Sequence, residues 1–200
     1  MPRRPDPELE KRVLKAATKL WHGGGDKTLS MRALAKEART NTPAIYRRFK
    51  DRRGVLQALF LHLQQAGHQI LSSSPSLEEA CERYIDYAVS QPREYELFYA
   101  HKHEFMQSAR TSRMSPTDIG PGFAWVAKKL AERLGGSPED QMQRALEVWA
   151  LAHGTASLLI SKAVPAELAL ELRAGCLRAL GVLLSGTRKR ACASSDDSKL

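Results

Sequence analysis

The chain has 200 residues, 42% of them hydrophobic and 26% charged, with a formal net charge of +9, a balance that suits one sizeable core, or a small module joined to a larger one. No apolar run approaches the ~18 residues of a membrane span, and no signal-peptide core follows Met1. These two features together predict a cytoplasmic location; three scattered cysteines, Cys81, Cys176 and Cys192, form no CxxC, suggest neither a disulfide framework nor a thiolate zinc site, and read as reduced thiols.

The positive charge sits in the first quarter. Residues 1–53 carry 15 Lys or Arg against 6 Asp or Glu, while residues 54–200 carry 16 against 16. Such asymmetry predicts either a polyanion-binding head on a neutral body or a basic surface that only solubilises. The expected division is a head over 1–53 whose first residues form a loose basic arm (Arg3, Arg4), a body over 54–186, and a disordered polar tail over 187–200.

Apolar positions recur at three and four throughout, which predicts an all-helical fold. Asp6 with Pro7 starts a first helix whose stripe is Leu9, Val13, Ala16 and Leu20, and Gly23–Gly25 stops it. Ser30 caps a second helix carrying Met31, Leu34 and Ala35, which ends near Ala38. Asn41 or Thr42 caps a third, short one with Pro43 in its first turn. Asp51 caps a long helix that keeps its period through Val55, Leu56, Leu59, Phe60, Leu63 and Ile70, until Ser72–Pro75. Further helices are predicted over 76–90, 92–99 or longer, 121–134, 138–161 and 165–185. Residues 100–120 give no clear pattern, and Ser115, Pro116, Gly120, Pro121 and Gly122 suggest a loop near their end.

The third helix, about eight residues long, cannot stand alone in water, so Ile45 and Phe49 must dock it on neighbours. Its other face then presents Thr42, Pro43, Tyr46 and Arg47, with Arg48 and Lys50 at the margins. Two short helices joined by a tight turn, the second projecting polar and cationic groups, meet the needs of a major-groove reader. Ser30 and Arg52, at helix starts, suit phosphate contacts, and Arg47 or Arg48 suits a bidentate guanine contact.

The run "LSMRALAKEARTNTPAIYRRFKDRRGVLQAL", residues 29–59, resembles the DNA-binding domain of TetR-family transcriptional regulators. Its landmarks are Leu34-Ala35, Ala38, the Ile45-Tyr46 pair with Phe49, and Arg52 ahead of Val55-Leu56, together with Leu14, Ala16, Ala17, Leu20 and Trp21 of the first helix. The resemblance implies an all-α protein with a three-helix helix-turn-helix head and a helical ligand-binding and dimerisation body. It places Ser30, Arg39, Thr40, Asn41, Thr42, Pro43, Tyr46, Arg47, Arg48, Lys50 and Arg52 at the DNA. Arg39 and Thr40 stand where the family usually has Gly and Val, and Asn41 where Ser is common. A non-glycine residue in a left-handed turn costs about 1 kcal/mol, so either the turn is reshaped or Arg39 adds a phosphate contact.

The predicted helices over 138–161 and 165–185 are apolar on more than one face. Met142, Leu146, Trp149, Ala152, Ala156 and Leu159 form one stripe, and Val148, Leu151, Thr155 and Leu158 a second. Such helices call either for burial within the chain or for a second subunit. The resemblance implies the latter, a four-helix dimer interface, for which Val148, Leu151, Thr155, Leu158, Leu172, Cys176, Leu180 and Leu183 are the candidates. A symmetric homodimer reading a near-palindromic operator on double-stranded DNA follows from it. "WALAHG" (149–154) and "REYELF" (93–98) look like the Trp-His-Gly subgroup of TetR C-terminal domains.

Nine of the 13 aromatic residues lie between Tyr84 and Trp149. Tyr84, Tyr95, Phe98, Tyr99, Phe123, Trp125 and Trp149, with His103 or His153 as polar handles, suit either a dry core or a cavity for a small organic, apolar or aromatic ligand. The resemblance implies the cavity. His101, His103 and Glu104 lack the spacing of a helical zinc motif, so no metal is expected. "GGGDKT" departs from a phosphate loop in spacing and in lacking a preceding strand, and neither a catalytic motif nor a cofactor fingerprint stands out. The sequence therefore predicts a regulator, most simply a homodimeric repressor released from its operator by a ligand, and not an enzyme. Alternatives are a ligand-independent regulator or activator, or a helical binding protein or enzyme with an incidental basic head.

Overall fold

The computed structural model describes residues 8–105 and 115–185. The expected basic arm, the Asp6 cap, Cys192 and the polar tail lie outside the described residues. Those described fold as helices α1 (Leu9–Gly24), α2 (Met31–Glu37), α3 (Thr42–Phe49), α4 (Arg52–Ser72), α5 (Leu77–Ser90), α6 (Pro92–Phe105), α7 (Pro116–Ile119), α8 (Pro121–Leu134), α9 (Met142–Ile160) and α10 (Ala169–Leu184), with one-turn 3-10 segments at Gly25–Thr28 and Ala166–Leu168.

Local chemistry fixes most of the ends. The Ser30 side chain accepts from Ala33 N–H, Asn41 from Ala44 N–H, Asp51 from Gly54 N–H and Ser76 from Glu79 N–H, each supplying one of the acceptors that a helix N-terminus lacks. α1 ends where Gly25 adopts φ 67°, a conformation that costs glycine nothing. In the expected loop near residue 120 the structure has the one-turn α7, closed by a capping box in which Asp118 accepts from Ser115 N–H.

α1 to α3 fold around Val13, Ala17, Leu34 and Ile45, all essentially inaccessible to solvent. This core continues into Val55, Leu56, Leu59 and Leu63 of α4 and Leu97 of α6. The packing therefore does not divide between residues 53 and 54, because α4 is the fourth wall of the head as well as the first helix of the body. A second core joins α5, α8, α9 and α10 through Ile85, Ala127, Leu130, Ala145 and Leu180. Between the two, α4 packs on α5, α6 and α8, and α6 also touches α1.

Candidate nucleic-acid interface and cavity

α3 buries Ile45 and Phe49 and leaves Pro43, Tyr46, Arg47 and Arg48 outward, with Tyr46 half exposed. The turn between α2 and α3 keeps its left-handed residue, and Arg39 occupies it at φ 51°. A side chain at a left-handed position carries strain of about 1 kcal/mol. Lys50, at φ 65°, closes α3 in the same way. Arg39, Asn41, Pro43, Tyr46, Arg47 and Lys50 are exposed along this edge, with Ser30 at the start of α2 and Thr40 and Thr42 partly covered.

Partners separate the cations. Arg48 is ion-paired to Glu10 of α1 and lies over the Phe49 ring at 5.7 Å. Arg52 donates through Nε to Leu29 O at 2.7 Å and pairs with Asp26. The guanidinium thus braces the 3-10 turn and the start of α2 against α4 while its side chain stays 39% exposed beside the expected phosphate-facing edge. Arg47, Arg39 and Lys50 enter no ion pair among the described residues, so of the two arginines proposed for a base contact Arg47 is the one left open. The junction is tight at Gly54, where an added Cβ would lie 1.9 Å from Phe49 O.

Helices α4, α5, α6, α8 and α9, with Ile119 of α7, line a cavity of about 140 Å³, the scale of cavities that accept one aromatic ring. Tyr84, Tyr95, Phe98, Tyr99, Phe123 and Trp149 line it as expected, whereas His103, Trp125 and His153 do not. His103 is exposed, and Trp125 packs on the second core. His153 stands behind the wall, hydrogen-bonded to the Tyr95 hydroxyl and stacked on its ring. Sequence reading missed the α4 wall (Leu63, Gln64, Gly67, His68 and Leu71) and the polar pair Glu94 and Lys102. The one signal available was Gly67-His68 interrupting the apolar stripe of α4.

Polar groups in the wall form a connected set. Tyr84 and Tyr99 hydroxyls are 2.7 Å apart, and Trp149 Nε1–H donates to the Tyr99 oxygen at 3.1 Å. Burial raises the Tyr84 and Tyr95 phenols and pushes Tyr99 up to about 12, so all three stay protonated at neutral pH. Burial, helped by the Lys102 charge, lowers His153. Lys102 is itself pushed down to about 8 by burial, its ammonium 4.1 Å from the Trp149 ring centroid. The Tyr87 hydroxyl donates to Glu94 at 2.8 Å, and His22 of α1 stands 3.6 Å from the same carboxylate. His68 Nδ1 is buried without a hydrogen-bond partner among the described residues. Cys81, also in the wall, faces Cys176 of α10 at 3.8 Å between sulfurs, and both thiols are free.

The cavity is wired to the head twice. α4 carries the head directly. α6 holds it sideways, by Trp21 Nε1–H to Arg93 O at 2.9 Å and by Arg53 to Glu104 at 2.7 Å. The latter contact also accounts for Glu104 of the HxHE cluster, whose carboxyl Arg53 holds below its usual range.

On the far side, α9 and α10 show apolar residues to solvent: Leu146 and Leu158, and Leu170 and Val182 at 79% and 72% exposure. Of the eight residues proposed for a subunit interface, Leu158 is on this surface and Leu151, Leu172 and Leu183 are half-buried. Val148, Thr155, Cys176 and Leu180 are buried by the chain's own α5, α8 and α9–α10 contacts and cannot also face a second subunit.

Residues 13–59 match the family model described as bacterial regulatory proteins, tetR family, and residues 77–180 match the tetracyclin repressor-like C-terminal domain. Among solved structures, the regulatory protein SCO4313 superposes with TM-score 0.69 at 20% identity, covering 93% of this chain and 100% of that one. The multidrug binding protein EbrR, complexed with imidazole, gives 0.64 at 18% identity over 95% and 96%. A TetR-like transcriptional regulator from Rhodococcus sp. RHA1 gives 0.58 at 18% over 90% and 99%. At these identities the likeness is one of fold. No curated protein matches the chain significantly.

Proposed function

The chain belongs to the TetR family of DNA-binding transcriptional regulators, and from that premise we propose that it is a homodimeric repressor released from a near-palindromic operator by a small organic effector. The observation that carries this reading is the shared wall: α4 and α6 line the cavity and are the two helices that grip the head. An effector bound more tightly by one arrangement of α4 and α6 shifts the population toward it. The separation of the two heads in a dimer changes with it, and both half-sites can no longer be engaged together.

Arg47, Tyr46, Pro43 and Thr42 are the proposed base-reading group, with Ser30, Arg39, Thr40, Asn41 and Lys50 toward the phosphates and Arg48 held back by Glu10. Dimerisation is assigned to Leu146, Leu158, Leu170 and Val182, with Leu151, Leu172 and Leu183 at the edges; burying each exposed side chain would contribute about 1.5–3 kcal/mol. Trp149, His153 and Gly154 keep the pattern of the Trp-His-Gly subgroup, and its Trp and His both contact the tyrosine network. A multidrug-binding relative of the same fold, EbrR, supports a promiscuous small-molecule role. No described helix is long and apolar enough to cross a membrane, and the reading as a DNA-binding regulator carries with it a cytoplasmic location.

The test combines a thermal-shift screen of small aromatic compounds with fluorescence anisotropy on a selected operator. Compounds that raise the melting temperature of the free protein should weaken operator binding. Hits that leave the anisotropy titration unchanged would favour a ligand-independent regulator.

A further inference from the structure

The cavity's one acid and one ammonium are not paired with each other. Two charged side chains line it, Glu94 and Lys102. Glu94 already accepts from the Tyr87 hydroxyl and faces His22. Lys102 has no acid within ion-pair distance among the described residues, and its neighbours are the rings of Trp149 at 4.1 Å, Tyr99 at 5.6 Å and Phe98 at 5.8 Å. The next stretch of chain, "MQSARTSRM" over 106–114, contains no Asp or Glu. A half-buried ammonium without a counter-ion is costly, since burial disfavours the charged form and aromatic faces compensate only in part. A second polar atom of the wall, His68 Nδ1, is buried and unpartnered.

We propose that the effector is an organic anion with an aromatic or otherwise apolar body, whose acidic group pairs with the Lys102 ammonium while its body lies against Tyr84, Tyr99, Phe123 and Trp149. This rests on reading the cavity as the effector site. His68 offers a second hydrogen bond to a polar substituent. An organic cation would find aromatic walls here too, but it would meet Lys102 uncompensated and a Glu94 already engaged.

The charge that matters is readable by pH. Around Lys102 stand Tyr99 of its own helix and His153 of α9, with Tyr84 of α5, His68 of α4 and the Cys81–Cys176 pair elsewhere in or behind the wall. Burial keeps Tyr84 and Tyr99 protonated and His153 neutral as pH rises from 7. Lys102, at about 8, loses its proton over that range. Affinity for an anion should then be full below 8 and fall about tenfold between pH 7 and pH 9.

Isothermal titration with benzoate, benzamide and benzyltrimethylammonium, each with the one ring that the cavity's volume accepts, compares an anion, its neutral isostere and a cation. The full-length protein should bind benzoate about tenfold more tightly than the amide. Lys102→Gln should abolish that preference and the pH step without changing amide binding, and Lys102→Arg should restore the preference and remove the pH step. Equal binding of anion and amide, tightest binding of the ammonium, or an anion preference that survives Lys102→Gln would each overturn the assignment while leaving the cavity as an effector site. Failure of all three to bind would overturn both readings.

Discussion

Head and body solve opposite problems. In the head the interior is wholly apolar, built on Val13, Leu34 and Ile45, and the cations stand outside. In the body polar groups are held inside, Lys102, His68 and the tyrosine network, while leucine and valine face water on α9 and α10. An interior of apolar side chains and an outer cationic edge suit a rigid module that meets a polyanion. An interior with unpaired polar atoms and an outer apolar face suits a module that takes a ligand within and a second copy of itself without.

Breaking the junction between them should have the largest effect. Gly54→Ala drives a Cβ into Phe49 O, and chemical denaturation should show a loss of about 3 kcal/mol with loss of DNA binding. Next comes the reading edge. Arg47→Ala should weaken operator binding about 10- to 100-fold in anisotropy titrations with an unchanged melting temperature, and Tyr46→Ala should weaken it in the same way. Arg52→Ala should lower the melting temperature itself, because that arginine braces the head. Leu170→Glu with Val182→Glu should yield a folded monomer by light scattering, and it should bind one half-site only. A subtler effect separates the interiors. Because Lys102 is depressed to about 8 in the fold, the free protein carries its penalty fully below pH 8 and sheds it as pH rises toward the unfolded value of 10.5. The stability gap between Lys102→Met and wild type should therefore narrow over that window. Smallest is Arg39→Gly, which relieves φ 51° and should stabilise the head by about 1 kcal/mol.

The same contrast governs what could be read before the structure. Helix ends are decided by neighbours in sequence, so the Ser30, Asn41 and Asp51 caps and the bounds of α8 follow from residue types alone. The faces of α3 were legible because so short a helix has only one way to bury Ile45 and Phe49. Partners distant in sequence were not. Glu10 captures Arg48 from 38 residues away and Asp26 captures Arg52 from 26, and neither ion pair could be read from the local sequence. The cavity's aromatic wall showed in composition, but its α4 wall depends on how α4 is rotated between α5, α6 and α8. The apolar excess of α9 and α10 predicted two covered sides; which side the protomer covers itself is settled only by packing, and it takes Val148, Thr155, Cys176 and Leu180.

The most direct measurement is selection of bound duplexes from a random pool by the full-length protein, followed by sequencing. Paired heads on a shared scaffold predict an inverted repeat, its half-sites spaced by about one turn of the duplex, ~10 base pairs, or a multiple of it. Recovery of a single unrepeated motif, or of no motif at all, would contradict the account.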